Sequence, residues 1–337
     1  MTALADAWLH TIDPYAIWFI RWYGLSYLAG FLIGYLMVRW VITRGRSTLT
    51  LVQAGDLVVT LAISGVIGGR LGYVLFYKRD LLWTITDHIP YWGAIAINDG
   101  GMSIHGGILG TVIGCLLYAW RQNQSPLFLG DLMAFAGPPG LALGRIANFV
   151  NGELVGRVCA PTFPLAVKFP TAMRFWSEKR LEEVMQAYQQ TNRAILDKYD
   201  TPRAFAEYAI ARIQAGDQVM INTVRPFLEP RHPSQLYAAL GEGVLVGLVL
   251  LWLYHKPRKP GVVGFAFLIA YGVVRIVDEL WRKPDAHIGF DALFGLAITR
   301  GQWLSLAMLV IGLVGIWITA RRPVDRLGGW GRNPTGQ

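Results

Sequence analysis

Long apolar runs, joined by short polar connections, set the pattern of this chain. Seven stretches have the length and composition of membrane-spanning helices: about 16–38, 51–77, 102–120, 127–150, 234–254, 260–281 and 302–320. Each comes near the roughly 20 residues that cross a hydrocarbon core of about 30 Å. One long polar insertion, from about 151 to 232, breaks the series. Inside it, Ser177-Glu-Lys-Arg-Leu-Glu-Glu-Val-Met-Gln-Ala-Tyr188 favours a helix, with Ser177 placed as N-cap and the pattern continuing toward Gly216. Arg180 stands where a capping box would need Glu. The predicted fold is an all-α polytopic membrane protein of seven transmembrane helices with an extracytoplasmic head insertion. Its parts are 1–150 (a short interfacial segment, Met1–Pro14, and spans one to four), 151–232 (the head), 233–320 (spans five to seven) and 321–337 (a basic, Gly-rich cytoplasmic tail expected to be disordered). Gly137-Pro-Pro-Gly140 must kink the fourth span, and Ser234 is the expected N-cap of the fifth. Glycines four apart, at 65 and 69, 68 and 72, and 106, 110 and 114, predict close helix approach.

Composition agrees with a membrane solvent. Only 16% of the 337 residues are charged, against about 25% in soluble domains. A net charge of +9 alone would fit a nucleic-acid binder, but its placement excludes that partner. Arg39, Arg44 and Arg46, then Arg121, then Lys256, Arg258 and Lys259, then Arg321, Arg322, Arg326 and Arg332 follow alternate spans. The opposite loops mix Lys78 and Arg79 with Asp80, Asp87 and Asp99, and Lys283 with Asp285. Basic residues mark the cytoplasmic side, so the N-terminus is placed outside and the C-terminus inside, with membrane lipids as the partner of the surplus charge. Trp18, Trp22, Tyr91, Trp92 and Trp281 suit interfacial belts. Cys115 and Cys159 predict neither a disulfide nor a metal site. The first fourteen residues lack a basic n-region and a cleavage site, so no removable signal peptide is read there.

Polar groups inside the apolar runs need a reason, since a charge at the bilayer centre costs about 2.5–3.5 kcal/mol. Arg70, Arg145, Arg275 and Arg282 lie in the spans or at their outer margins, and His105 is the one span histidine. An anionic ligand at membrane depth, most simply a phospholipid head group, supplies that reason. At 1.5 Å per residue, Tyr23, Arg70, Arg145 and Arg275 fall about 8–10 Å inside the outer ends of their spans, and His105 about one turn inside. Tyr271, Arg275, Glu279 and Arg282 line one helical face. Arg275 and Glu279 can also simply neutralise each other, with Asp278 and Glu242 as further counter-charges. Arg145, Asn148 and Asn151 form a polar face suited to phosphate or ester oxygens, although asparagines there also serve as caps. Gly106 and Gly107 leave room beside the His105 imidazole. His232, in Arg231-His-Pro-Ser234-Gln-Leu-Tyr237, reads mainly as a turn leading into a span, and Arg157 as interfacial.

Taken in order, several segments resemble the prolipoprotein diacylglyceryl transferase family. They are Arg21-Trp-Tyr23-Gly-Leu, Gly68-Gly-Arg70-Leu-Gly-Tyr-Val-Leu-Phe-Tyr77, Asp99-Gly-Gly-Met-Ser-Ile-His105-Gly-Gly107, Gly144 to Arg157, Arg231 to Tyr237, Tyr271 to Asp285 and Arg300-Gly-Gln302. The resemblance covers nearly the whole membrane part. It implies seven spans with an outside N-terminus in the bacterial cytoplasmic (inner) membrane. It also implies a reaction, the first step of lipoprotein maturation: phosphatidylglycerol gives its diacylglyceryl group to the lipobox cysteine thiol of a prolipoprotein, forming a thioether and releasing glycerol phosphate. By motif, His105, Arg145 and Arg275 match the critical catalytic positions. Tyr23, Asn148, Glu153, Gly156, Tyr271, Glu279 and Arg282 match supporting, substrate-binding ones; Arg70 and Asn151 join them on depth and face. No cofactor is implied. Departures are Ala147 in place of Gly, Asn98 in place of Trp, the extra acid Asp278 and a longer head.

The chemistry suits these residues. A free thiol, with pKa near 8.5, is only a few per cent thiolate at neutral pH, so His105 is expected to accept its proton or position the group that does. Arg145 and Arg275 are expected to hold the phosphate. The competing class is a lipid transporter or flippase, with a channel or scaffold as a weaker third. The sequence shows no paired half-repeats, and none of the aspartate clusters that a transferase using CDP-linked donors would need.

Overall fold

The computed structural model describes residues 7–18, 20–192, 199, 201–282, 290–293 and 296–331; Lys283, Asp285 and Arg332 lie outside them. The chain is mostly helical. Among the described residues, four helices are long and apolar enough to cross a membrane: α1 (Trp22–Thr43), α2 (Leu51–Phe76), α9 (Ser234–Leu253) and α11 (Gly301–Arg321). A fifth candidate is the pair α4 (Pro126–Ala136) and α5 (Pro138–Val150), bent by 45° where the sequence places Gly137-Pro-Pro-Gly140. The other two expected spans are helical as well, α3 (Ile104–Arg121) and α10 (Val262–Asp278), with 18 and 17 residues. Between α5 and α9 lie α6 (Glu178–Gln189), α7 (Pro202–Gln214) and α8 (Gln218–Val224).

The chain divides into two compact units, each built from separate stretches. One comprises Met1–Gly30, Pro138–Leu248 and Ile269–Val310; the other comprises Phe31–Gly137, Val249–Leu268 and Ile311–Gln337.

In the second unit, α2 begins with a capping box: the Thr50 hydroxyl accepts from the Gln53 amide, and Gln53 returns the bond to the Thr50 N–H. Its contact with α3 is almost backbone on backbone. A Cβ on Gly68 would run into the Gly106 carbonyl, and one on Gly110 into that of Ser64, which is the close approach that small residues allow in lipid. Asp131 of α4 is 1% exposed and holds the start of α10, its carboxylate accepting from the N–H groups of Gly261 and Gly264, both at 2.7 Å. The basic tail departs from expectation. Up to Gly331 it is docked: Trp330 stacks on Trp40 at 5.2 Å, donates Nε1–H to the Leu251 carbonyl and has its own carbonyl bound by Arg44. Its Gly and Arg content reads as disorder, but one tryptophan supplies the apolar area that anchors it.

In the first unit, α6, α7 and α8 surround an apolar core that includes Leu181, Val184, Tyr188, Phe205, Ile210 and Met220. Each helix starts on a side-chain cap: Ser177, as the sequence predicts, then Thr201 and Asp217. The N-terminal stretch is more than an interfacial segment. Trp8–Leu9 forms a strand parallel to Val167–Lys168, which pairs antiparallel with Pro230–Arg231, and Leu9 enters the helical core. Two-residue strands carry no periodic signal, so the sequence does not show them. Ser234 is the first residue of α9, not its cap: Pro233 precedes it, and the Ser234 hydroxyl donates to the Leu154 carbonyl at 3.0 Å. Over Ala239–Leu245 α9 is π-helical, an irregularity that often accompanies functional sites.

Candidate active site

At the centre of the first unit a single acid joins two arginines. Glu242, in the π-helical stretch, is fully buried. Arg145 of α5 donates to Glu242 Oε2 through Nε at 2.8 Å and approaches it with Nη2 at 2.7 Å. Arg275 of α10 lies 3.7 Å from Oε1 of the same carboxylate and 2.6 Å from Glu279, one turn on. The Tyr271 hydroxyl donates to Glu242 Oε2 at 3.3 Å. The neutralising pair weighed from sequence, Arg275 with Glu279, is therefore present, and so is the counter-charge at Glu242. These groups border a niche of about 270 Å³, counted out to its mouth, lined by Arg145, Arg275, Arg282, Glu242, Asp278 and Gln235 among others. The Arg145, Arg275 and Arg282 guanidiniums are matched by the carboxyls of Glu242, Asp278 and Glu279, so the cluster is balanced in charge when all are ionised. Among the described residues, Glu242 Oε1, Asp278 Oδ2 and Gln235 Oε1 are buried with no hydrogen-bond partner. The niche is thus lined by guanidinium donors and by carboxyl and amide acceptors.

Arg282 does not lie on the α10 face that the spacing predicts. The helix ends at Asp278, and Arg282 reaches the niche from an irregular stretch bridged to Gly156. Gly156 is a crossing point: a Cβ there would strike the carbonyl of His232 and lie 2.9 Å from that of Trp281, while Arg231 donates to the Gly156 carbonyl at 3.0 Å. Arg157, expected at the interface, closes the end of α10 by donating to the carbonyls of Arg282 and Glu279, the position where a cation is favoured. Gln235 Nε2 donates to the Glu153 carbonyl. Asn148 and Asn151 are buried, and the Asn151 amide meets the Glu153 carboxylate. Partial burial pushes the Glu153 carboxyl up, opposed by Arg174, the Asn151 bond and Arg21. Tyr23 packs edge-on against Tyr27 at 5.0 Å.

His105 and Arg70 belong to the other unit. His105 is exposed in the first turn of α3, behind the Ser103 N-cap. Arg70 is only 4% exposed, and its guanidinium does not open toward a ligand, because it donates to the main-chain carbonyls of Gly93, Ala94, Gly100 and Gly101. Glu242, weighed from sequence only as a counter-charge, is the hub of the arginine cluster. An acid inside an apolar run is the same signal that singles out the arginines. Asp278, weighed as a further counter-charge, lines the same niche, while Gln235 carried no comparable sign.

Fold and site define a helical membrane protein with a niche lined by arginines and carboxyls. The profile of one family, prolipoprotein diacylglyceryl transferase, matches residues 14–318. The chain is similar to the phosphatidylglycerol–prolipoprotein diacylglyceryl transferases of Bdellovibrio bacteriovorus (46% identical, covering 96% of this chain and 97% of the relative), Rhodospirillum centenum (42%, covering 93% and 92%) and Burkholderia ambifaria (37%, covering 93% and 97%). The chain belongs to the prolipoprotein diacylglyceryl transferase family.

Proposed function

We propose that this protein transfers the diacylglyceryl group of phosphatidylglycerol to the lipobox cysteine of prolipoproteins in the bacterial inner membrane. The observation that carries the reading is the niche shared by Arg145, Arg275 and Glu242. Its guanidiniums offer planar donors suited to a phosphodiester, and its size suits a head group while the acyl chains remain in lipid. The buried acceptors of Gln235, Glu242 and Asp278 suit the hydroxyls of a glycerol head group.

In the proposed step the cysteine sulfur bonds to the glycerol carbon of the diacylglyceryl group as the carbon–oxygen bond to phosphate breaks. The electron pair leaves on the phosphate oxygen of glycerol phosphate. Arg145 and Arg275 stabilise that charge, and His105 accepts the thiol proton or positions the group that does. Tyr23, Asn148, Asn151, Glu153, Tyr271, Glu279 and Arg282 support substrate binding, and Gly156 keeps the segments beside them closely crossed. Seven spans, an outside N-terminus, an extracytoplasmic head at 151–232 and a cytoplasmic C-terminus complete the proposal, supported by the alternating basic loops.

The purified protein, supplied with vesicles of phosphatidylglycerol and a lipobox peptide, is expected to yield a diacylglyceryl-modified peptide and glycerol phosphate. Movement of the lipid between leaflets without product would make it a transporter instead. Arg275→Lys keeps the charge but loses the planar fork, and is expected to lower turnover at least tenfold; unchanged turnover removes bidentate phosphate holding.

A further inference from the structure

Arg70 is held by four main-chain carbonyls, and each of them lies just upstream of His105. Nε donates to the Ala94 carbonyl at 2.9 Å, Nη2 to Gly93 at 2.5 Å, and Nη1 to Gly100 at 2.5 Å and Gly101 at 3.0 Å. Four main-chain acceptors thus share the five donors that a guanidinium offers in fixed directions. Gly100 and Gly101 have φ of +77° and +80°, a pair that would act as a hinge if left alone. Tyr73, one turn beyond Arg70 on α2, covers Gly101 with its ring. Two residues later the Ser103 N–H donates to the Gly69 carbonyl at 2.9 Å, and the Ser103 hydroxyl caps the Gly106 N–H. His105 lies between that cap and Gly106, whose backbone rests on Gly68 and Gly72. Beside the Ser103 cap, the start of α3 is therefore anchored on α2, and Arg70 holds the part of the turn that has no helix of its own.

We propose that Arg70 is a positioning residue: by pinning the Gly100–Gly101 turn it sets the placement of the His105 imidazole, and it is not a phosphate ligand. The proposal rests on the reading of His105 as the proton-accepting group or its organiser. Lysine at position 70 keeps the charge but cannot bridge carbonyls in four directions.

The test is a double-mutant cycle on the full protein in phosphatidylglycerol vesicles, with Arg70→Lys, His105→Gln and the combination. Arg70→Lys is expected to lower kcat by up to about 100-fold, the scale of a 1 Å misplacement, with KM for phosphatidylglycerol within about twofold of wild type. In the His105→Gln background the same change is expected to cost little more, because both act through one group. Gly100→Ala places its Cβ in open space and bears only on the turn. It should lower kcat in the same direction, and it stands in for Arg70→Lys should that variant not fold. A raised KM with kcat retained, fully additive losses, or a wild-type kcat in Gly100→Ala each overturn the proposal. Near-normal activity of His105→Gln alone instead removes the reading of His105 on which it rests.

Discussion

Arginine is one letter with several physical meanings, and the partners around each guanidinium decide which applies. Arg70 is saturated by carbonyls, Arg157 closes a helix end, and Arg145 and Arg275 share Glu242 beside an open niche. Removing the shared acid leaves Arg145 without its carboxylate, while Arg275 keeps Glu279; losing one partner of a buried pair costs about 3–5 kcal/mol. Glu242→Gln is thus expected to lower the melting temperature in detergent, and added phosphatidylglycerol should narrow its gap to wild type by supplying the missing anion. A gap unaffected by lipid would place the cluster outside the binding site. Glu153 makes a pH-dependent case. Its carboxyl is raised in the folded protein, chiefly by partial burial. The associated stability is present below the ordinary glutamate range and is lost as pH rises through the folded value. Wild type should therefore lose stability relative to Glu153→Gln on going from acid to neutral pH. A difference that stays constant with pH would mean that burial does not dominate there.

At the scale of elements, the helices follow from apolar run length, and the bend between α4 and α5 from Gly137-Pro-Pro-Gly140, because proline removes a donor and clashes with the preceding turn. The stripe of glycines reads correctly as a contact face, and α2 and α3 meet on it. Gly110→Val places branched carbons against the Ser64 carbonyl and is expected to destabilise the protein by at least about 1–3 kcal/mol. Thermal unfolding followed by tryptophan fluorescence would measure this, and an unchanged transition would contradict the packing. Helix ends were less legible. Arg282 continues the spacing of Tyr271, Arg275 and Glu279 in the sequence, yet α10 ends before it. Ser234 has a capping side chain but uses it on Leu154. Both outcomes depend on segments distant in the chain, to which a local pattern is blind.

Across the whole molecule, composition separates membrane stretches from the polar insertion but misjudges both chain ends. Trp8–Leu9 completes a three-stranded sheet with residues about 160 and 220 positions away, and Trp330 docks the tail on Trp40 and the end of α9. Trp330→Ala is expected to release the tail, so that trypsin cuts after Arg326 faster than in wild type while the helices remain resistant. Equal cutting rates would show that the tail is held by other contacts.

Several properties of this protein are local, and the amino-acid order alone determined them. Span lengths, the kink, the glycine contact face, the cap at Ser177 and the motifs of the family each depend on neighbouring residues or on composition within one helix. Which arginine lines the niche, which acid holds two arginines together and where His105 is set were decided only by tertiary structure. A guanidinium or carboxyl takes its role from groups brought to it by other segments, and in a low-dielectric interior those few contacts outweigh anything its sequence neighbours specify.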